Sequence, residues 1–394
     1  MPPREPLFTA RFFLMCGFSF TVFVSAFMLF PTAPYRIISL GGTESVAGWF
    51  LGLLTYFSAV SAPITGAIAD RIGKKRMLVV CSVAITGFST VYALTATYPV
   101  MLAFVPFHGV FWSGLLSASA AYMTDLVPES RRAEGIGYWG LSTIFAVMFA
   151  PSLGFFLYRH GWLGLCAVVA LLNVVMAVIA SRLQETHVRA HPPGASFFGG
   201  GLVEWRVMLA SISLFLYSYG YGAITSFSAL YADARGVTPK GIYFGVLAFI
   251  TAVTRPITGP LGDKLGHRKV LLPCLALIAA GLALLALPAT RTSLALSAVV
   301  FGIGFGSAYP AYAAYVMRGI EPRRRGAAFG GILAAFDIGI GTGSIATGFL
   351  VHRYGFAKAF GAAALLSALS LPYFLYAERR FLGRSAAAAN SVGS

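Results

Sequence analysis

Three ionisable side chains sit deep inside long apolar runs. Asp337 lies twelve residues past Arg325, about 18 Å along a helix. Arg255 lies eight residues before Asp263, about 12 Å from the same end of its own run. His108 lies about 13 Å from the opposite end of its segment. A charge near the centre of a bilayer costs at least a few kcal/mol, so one retained there is a functional candidate. Asp337 can hold a proton, meet a cationic substrate or pair with Arg255, whose long side chain spans the difference in depth. An Arg255–Asp337 pair that opens on substrate or proton binding is expected; left closed, the same pair would only stabilise its half of the chain. His108 can titrate near neutral pH, or stay neutral and hydrogen-bond a neighbouring helix. Asp125 and Glu134 lie at loop edges, as partners for Arg131 or Arg132.

Aromatic side chains accompany these charges. Tyr217, Tyr219 and Tyr221 straddle glycines, Tyr309 and Tyr312 flank Pro310, and Phe111 and Trp112 follow His108. Most aromatics in membrane proteins face lipid or the interface. In mid-segment, however, tyrosines offer hydroxyls and flat faces to an amphiphilic guest. Trp112, Tyr217, Tyr221, Tyr309 and Tyr312 are therefore taken as cavity candidates. Enzyme chemistry has no counterpart here: there is no P-loop, no HExxH and no nucleophile elbow. The four cysteines (Cys16, Cys81, Cys166 and Cys274) lie in apolar runs without metal-ligand spacing. His187 and His191 precede two prolines and read as linker, so no metal site is expected.

The elements that must position these residues are membrane helices. Of 394 residues, 58% are hydrophobic and 11% charged, against about 25% charged in a soluble domain. Apolar segments run over 11–34, 46–69, 77–97, 99–123, 134–158, 162–181, 206–231, 241–262, 270–289, 292–317, 327–350 and 357–377. Each is near the ~20 residues that cross the hydrocarbon core. If both termini are cytoplasmic, inside loops carry about three times as many Lys and Arg as outside loops, as the positive-inside rule requires. The net charge of +16 therefore reports topology; no recognition module supports nucleic-acid binding. Residues 1–182 and 206–380 are read as two six-helix units, 183–205 as a cytoplasmic linker and 381–394 as a disordered tail.

The units repeat one another. Gly66-Ala-Ile-Ala-Asp70-Arg71-Ile-Gly73-Lys74-Lys75 is answered 193 residues later by Gly259-Pro-Leu-Gly-Asp263-Lys264-Leu-Gly266-His267-Arg268. Pro128-Glu-Ser-Arg131-Arg132 is answered by Pro322-Arg-Arg-Arg325. Parallel six-helix repeats around a midplane site are a transporter architecture.

The loop from Gly66 to Lys75 resembles the signature of the major facilitator superfamily, and its second copy falls at the equivalent place of a twelve-helix chain. The resemblance implies an all-α integral membrane fold of 12 transmembrane helices, arranged as two pseudo-symmetric six-helix bundles. It implies that Asp70, at the inner end of the second segment, faces the positive N-terminus of the eleventh, a contact worth about 0.3–1 kcal/mol. Asp70, with Arg71, Lys74, the turn glycines Gly66 and Gly73, the second-copy Asp263, and Arg131 and Arg325, would then gate the inner face and latch the outward-open state. Ala146-x-x-x-Ala150-Pro151-x-x-Gly154 is similar to the antiporter motif of the drug/metabolite:proton (sugar-efflux-like) branch, with alanines where that motif carries glycines. The segment around His108 carries Val105 where proton-coupled members carry arginine. The expected activity is proton-coupled efflux of a small amphiphilic compound or metabolite, with Asp337, Arg255 and His108 as coupling candidates and a proton gradient in place of any cofactor. An importer or uniporter of a sugar or organic acid, a lipid or lysolipid translocator, and a non-transporting membrane sensor stay open. Expected partners are the substrate, protons and membrane lipids, for a monomer in the cell (inner) membrane.

Overall fold

The computed structural model describes residues 6–186, 204–318, 320 and 324–382, with the side chains of 133 and 325–327 excepted. Most of the expected linker and the whole tail from 383 lie outside the described residues, as do residues 321–323. Every described element is helical. The first unit comprises α1 (Ala10–Leu29), the short α2 (Ala33–Ser39) and α3 (Glu44–Ala47), α4 (Trp49–Ile72), α5 (Lys74–Leu94), α6 (Tyr98–Leu126), α7 (Arg132–Arg159) and α8 (Trp162–Arg182). The second comprises the short α9 (Trp205–Ala210), α10 (Ile212–Ala234), α11 (Ile242–Leu265), α12 (His267–Leu285), α13 (Arg291–Met317), α14 (Arg325–Tyr354), α15 (Phe356–Ala368) and α16 (Ser370–Ala377). Among the described residues 11 helical stretches are long and apolar enough to cross a membrane. The twelfth expected crossing, α10, is long enough but rich in Ser, Tyr and Gly, and most of it is buried within the protein.

The duplication is visible in the backbone. Gly73 joins α4 to α5 with φ 100°, and Gly266 joins α11 to α12 with φ 93°. Gly161 and Gly355 repeat the device before α8 and α15, with φ 126° and 82°. These left-handed angles favour glycine because a Cβ would crowd the next carbonyl. Pro63 in α4 and Pro256 in α11, also 193 residues apart, each remove one intrahelical hydrogen bond and bend equivalent helices.

Each unit has its own buried core, and each core borrows one residue from the other unit. Ile340 of α14 packs into the first core, and Phe155 of α7 into the second. The units meet chiefly where α4 faces α14. Glycines allow the units to approach: a Cβ on Gly348 of α14 would lie 2.6 Å from the Glu44 carbonyl oxygen of α3, and at a second contact, between α7 and the start of α11, one on Gly241 would lie 2.8 Å from Ser152 Oγ. Gly48 and Gly52 lie against the α14 backbone or Ile345 in the same way. Ser344 Oγ donates to the Gly48 carbonyl at 2.8 Å, Tyr56 Oη and Thr342 Oγ1 are 2.9 Å apart, and His352 Nδ1 meets Glu44 Oε2 at 3.0 Å. With Ser58 to Asp337, these are the hydrogen bonds and ion pairs that join the units among the described residues. All lie between Glu44 and Ser58 of the first unit, so the seal is at the end away from the chain termini. Among the described residues, the side chains from Ser61 to Asp70 of α4 make no such bond to the second unit.

Candidate functional site: the midplane between the two bundles

Asp337 occupies the middle of α14 because that helix must run past α4 to make the seal. Ser58 Oγ donates to Asp337 Oδ2 at 2.9 Å, joining the units at the inner limit of the seal. Ser58 is buried, whereas Asp337 is partly accessible. Its neighbour Phe336 packs against both cores. Phe336 begins a row of rings: it lies 6.1 Å from Phe305 at 28°, and Phe305 stacks on Tyr221 at 4.3 Å and 16°. Tyr309 meets Phe336 edge-on at 5.2 Å. The Tyr309 hydroxyl is buried without a hydrogen-bond partner among the described residues, within electrostatic reach of Asp337. An orphan hydroxyl is costly to bury, so a polar guest could satisfy it.

Arg255 does not pair with Asp337. Its Nε donates to the Gly306 carbonyl at 3.1 Å, and Asp337 takes Ser58 instead. The expectation failed because the side chain crosses to α13 and toward α7, where the 4.0 Å to a Cβ on Gly140 marks its reach. Charge complementarity alone cannot report that geometry.

The chain's family follows from two matches to the Major Facilitator Superfamily model, over residues 15–257 and 210–391. The chain belongs to the major facilitator superfamily. The MFS-type transporter YhhS of Escherichia coli, itself uncharacterised, is 25% identical over 342 residues, covering 84% of this chain and 83% of its own. The uncharacterised MFS-type transporter MJ1560 of Methanocaldococcus jannaschii is 22% identical over 364 residues, covering 89% and 93%. Among solved structures, the nucleoside transporter NupG superposes with TM-score 0.74 at 16% identity, covering 94% of this chain and 99% of its own. A bacterial homologue of the lysosomal transporter Spinster, inward-facing and unoccupied, superposes with TM-score 0.75 at 17% identity, covering 96% and 98%. At these identities the structures establish the fold. The protein is therefore a multi-span secondary transporter, and not an enzyme.

The superfamily loop has a specific internal architecture. Lys74 forms an ion pair with Asp125 at the end of α6. Glu185 accepts from the Lys75 amide at 3.0 Å and fills the space where a Cβ on Gly73 would lie. Asp70 has no hydrogen bond or ion pair among the described residues, and Arg71 is exposed. In the second copy, Asp263 lies 3.7 Å from His267. Arg131 chelates Glu134 with two bonds of 2.8 and 2.9 Å and covers the Phe8 ring. The Arg325 side chain lies outside the described residues. Gly66 has nothing within 4 Å of a built Cβ, so close helix approach is not its role in this conformation.

Other expected site residues are placed inside single bundles. His108 is buried in the first unit, its Nδ1 3.2 Å from Tyr92 Oη and its ring stacked on Phe88 at 5.6 Å. It takes the helix-bridging role rather than a place beside Asp337. Trp112 is buried against Phe23 and Phe30. Tyr217 and Tyr312 are fully buried in the second core, Tyr312 bonded to Ser211, so neither faces the space between the units. Of the aromatic candidates, Tyr221 and Tyr309 remain partly accessible. In the antiporter-like stretch, Ala150 is buried and Pro151 bends α7, but Gly154 presses on the Met28 backbone of its own unit. Ser152 and Phe155 of the same stretch make the contacts across the units.

Ser58, Phe305 and Phe336 escaped the sequence reading. One signal was present. Gly339, Gly341 and Gly343 alternate beside Asp337, and their spacing marks a helix in backbone contact with two neighbours. Gly339 faces α10, where its Cβ would lie 2.6 Å from the Phe215 carbonyl oxygen, and Gly341 faces Thr55 of α4, also at 2.6 Å.

Proposed function

We propose that the protein exports a small amphiphilic compound in exchange for protons, by alternating access between its two bundles, from a cell membrane with both termini cytoplasmic. One observation carries the reading: a carboxylate at mid-membrane depth, Asp337, bonded across the bundle interface to Ser58 and flanked by a row of rings. A carboxylate in that position can exchange a proton for a substrate hydrogen-bond donor. The Phe336–Phe305–Tyr221 row offers a flat apolar platform beside it. The seal at the far end, and an Asp70 at the terminal end with no hydrogen bond or ion pair among the described residues, fit an inward-open resting state.

A ligand first has to be found, by thermal shift of the purified protein over sugars, drugs and metallophores. Its uptake is then measured in inside-out and right-side-out vesicles under an imposed pH gradient. Accumulation in inside-out vesicles, driven by an acidic interior and lost in Asp337→Asn, is expected. Uptake that ignores the gradient and survives Asp337→Asn would leave a uniporter. The buried Val105, where proton-coupled relatives of the antiporter branch carry a cation, favours that second reading.

A further inference from the structure

Arg255 is the fourteenth residue of the 24-residue α11, about 20 Å from one end of the helix and about 15 Å from the other. The residue is nevertheless accessible, and its side chain is not enclosed in a packed core. A guanidinium carries five donors. Only Nε is engaged among the described residues, by the Gly306 carbonyl, which leaves both Nη groups without a hydrogen-bond partner. Among the described residues no carboxylate joins it: Asp337, in the middle of α14, is taken by Ser58. A purely structural arginine at this depth would be neutralised, because an uncompensated charge there is expensive. Across the gap α7 presents Gly140, which has no side chain, and the Arg255 Nη1 lies 4.0 Å from where its Cβ would be. Tyr221, within electrostatic reach of the guanidinium, stacks on Phe305 and so begins the ring row that leads to Asp337.

We propose that Arg255 is an anion-receiving subsite, and that the transported compound is an aromatic or apolar molecule with a carboxylate-type anionic group on the Arg255 Nη atoms and a hydrogen-bond donor directed at Asp337. The two charged residues are then the two ends of one site, joined by the Tyr221–Phe305–Phe336 platform. A planar fork of donors matches a carboxylate bidentately. This inference rests on the midplane site proposed above, but not on its coupling to protons.

The test is equilibrium binding, with no gradient, to the full chain in phosphatidylcholine nanodiscs, with empty nanodiscs as blank. The probes are radiolabelled aminophenylbutyrate and its methyl ester, which keeps the ring and the amine and loses the charge. Wild type should hold the acid at least about tenfold more tightly than the ester. Arg255→Gln should abolish that preference, and Arg255→Lys should restore part of it. Gly140→Leu, which leaves Arg255 intact but fills the space before it, should also weaken the acid selectively. Asp337→Asn should keep the acid-over-ester preference, so a failure of proton coupling stays distinct from a failure of this subsite. Equal binding of acid and ester, an unchanged preference in Arg255→Gln, or no binding of the acid at millimolar concentration would each overturn the proposal.

Discussion

Ser58 and Asp337 show what one hydroxyl can do at a bundle interface. A hydrogen bond to a charged group contributes about 1.5–3 kcal/mol, and this one exists only while α4 and α14 are together at that depth. Ser58→Ala is therefore expected to weaken the observed conformation relative to its alternatives while leaving Asp337 able to hold a proton. Site-specific distance measurements between labels on α4 and α14 should broaden toward the opened far end, without a fall in the melting temperature of more than a few degrees. The sequence could name Asp337 because a lone carboxylate in an apolar run is conspicuous. It could not name Ser58, one of several small polar residues in the 46–69 segment, because serine at a helix contact leaves no compositional trace. Arg255 was legible as an anomaly and misread as a partner, since sequence gives depth along a helix but not azimuth around it. His108 was open to two readings, and the geometry of Tyr92 and Phe88 decides for the bridging one.

Glycine placement governs the helices. In α14, Gly339 lies against the Phe215 backbone and Gly341 against Thr55, so one helix serves as the seam for both units. In α10, Gly222 faces the same helix, where a Cβ would lie 2.8 Å from the Ile340 carbonyl carbon. Backbone cannot yield as a flexible side chain can, so Gly222→Val should destabilise the protein by about 1–3 kcal/mol or more. Denaturation in mild detergent would read this as an early loss of the second unit. The paired turn glycines give a finer contrast. Gly266→Ala meets open space and should incur only the left-handed backbone penalty, about 1–2 kcal/mol. Gly73→Ala must also displace the Glu185 carboxylate and should have the larger effect, which the same denaturation assay would rank. Element existence was almost wholly legible, from hydropathy and the 193-residue repeat. The breaks at α1–α2, α9–α10 and α15–α16 were not, because hydropathy is blind to a local kink within an apolar run.

At the scale of the molecule, the seal at the far end consists of a few polar contacts over a glycine-lined seam. Glu44 and His352 close it at the outermost point. An exposed pair of this kind contributes about 1 kcal/mol or less, so His352→Ala should shift the conformational balance slightly and His352→Arg should hold the seal more firmly. Asp70 belongs to the opposite end and has no hydrogen bond or ion pair among the described residues. Asp70→Asn should shift the population further toward the state described here without changing ligand affinity at the midplane by more than a few-fold. A larger loss of binding would show that Asp70 does more than latch. Double electron–electron resonance with labels at each end would follow both shifts. The two-bundle plan was readable from the repeat, whereas the conformational state was not, since a sequence is compatible with every station of a transport cycle.

The fixed guanidinium and the titratable carboxylate also have an electrical consequence. With Asp337 ionised, the empty midplane carries Arg255 and Asp337 as offsetting charges; with Asp337 protonated, it carries one net positive charge. One of the two reorientations must therefore move charge through the membrane field, which acts with about 2.3 kcal/mol per elementary charge per 100 mV. A monoanionic cargo on Arg255 would cancel that charge in the protonated form and create it in the ionised form. Transient currents on a solid-supported membrane should therefore have opposite polarity when triggered by a jump of cargo and by a jump of protons on the same side. Voltage would act as a second drive, separable from the pH gradient by clamping one and varying the other.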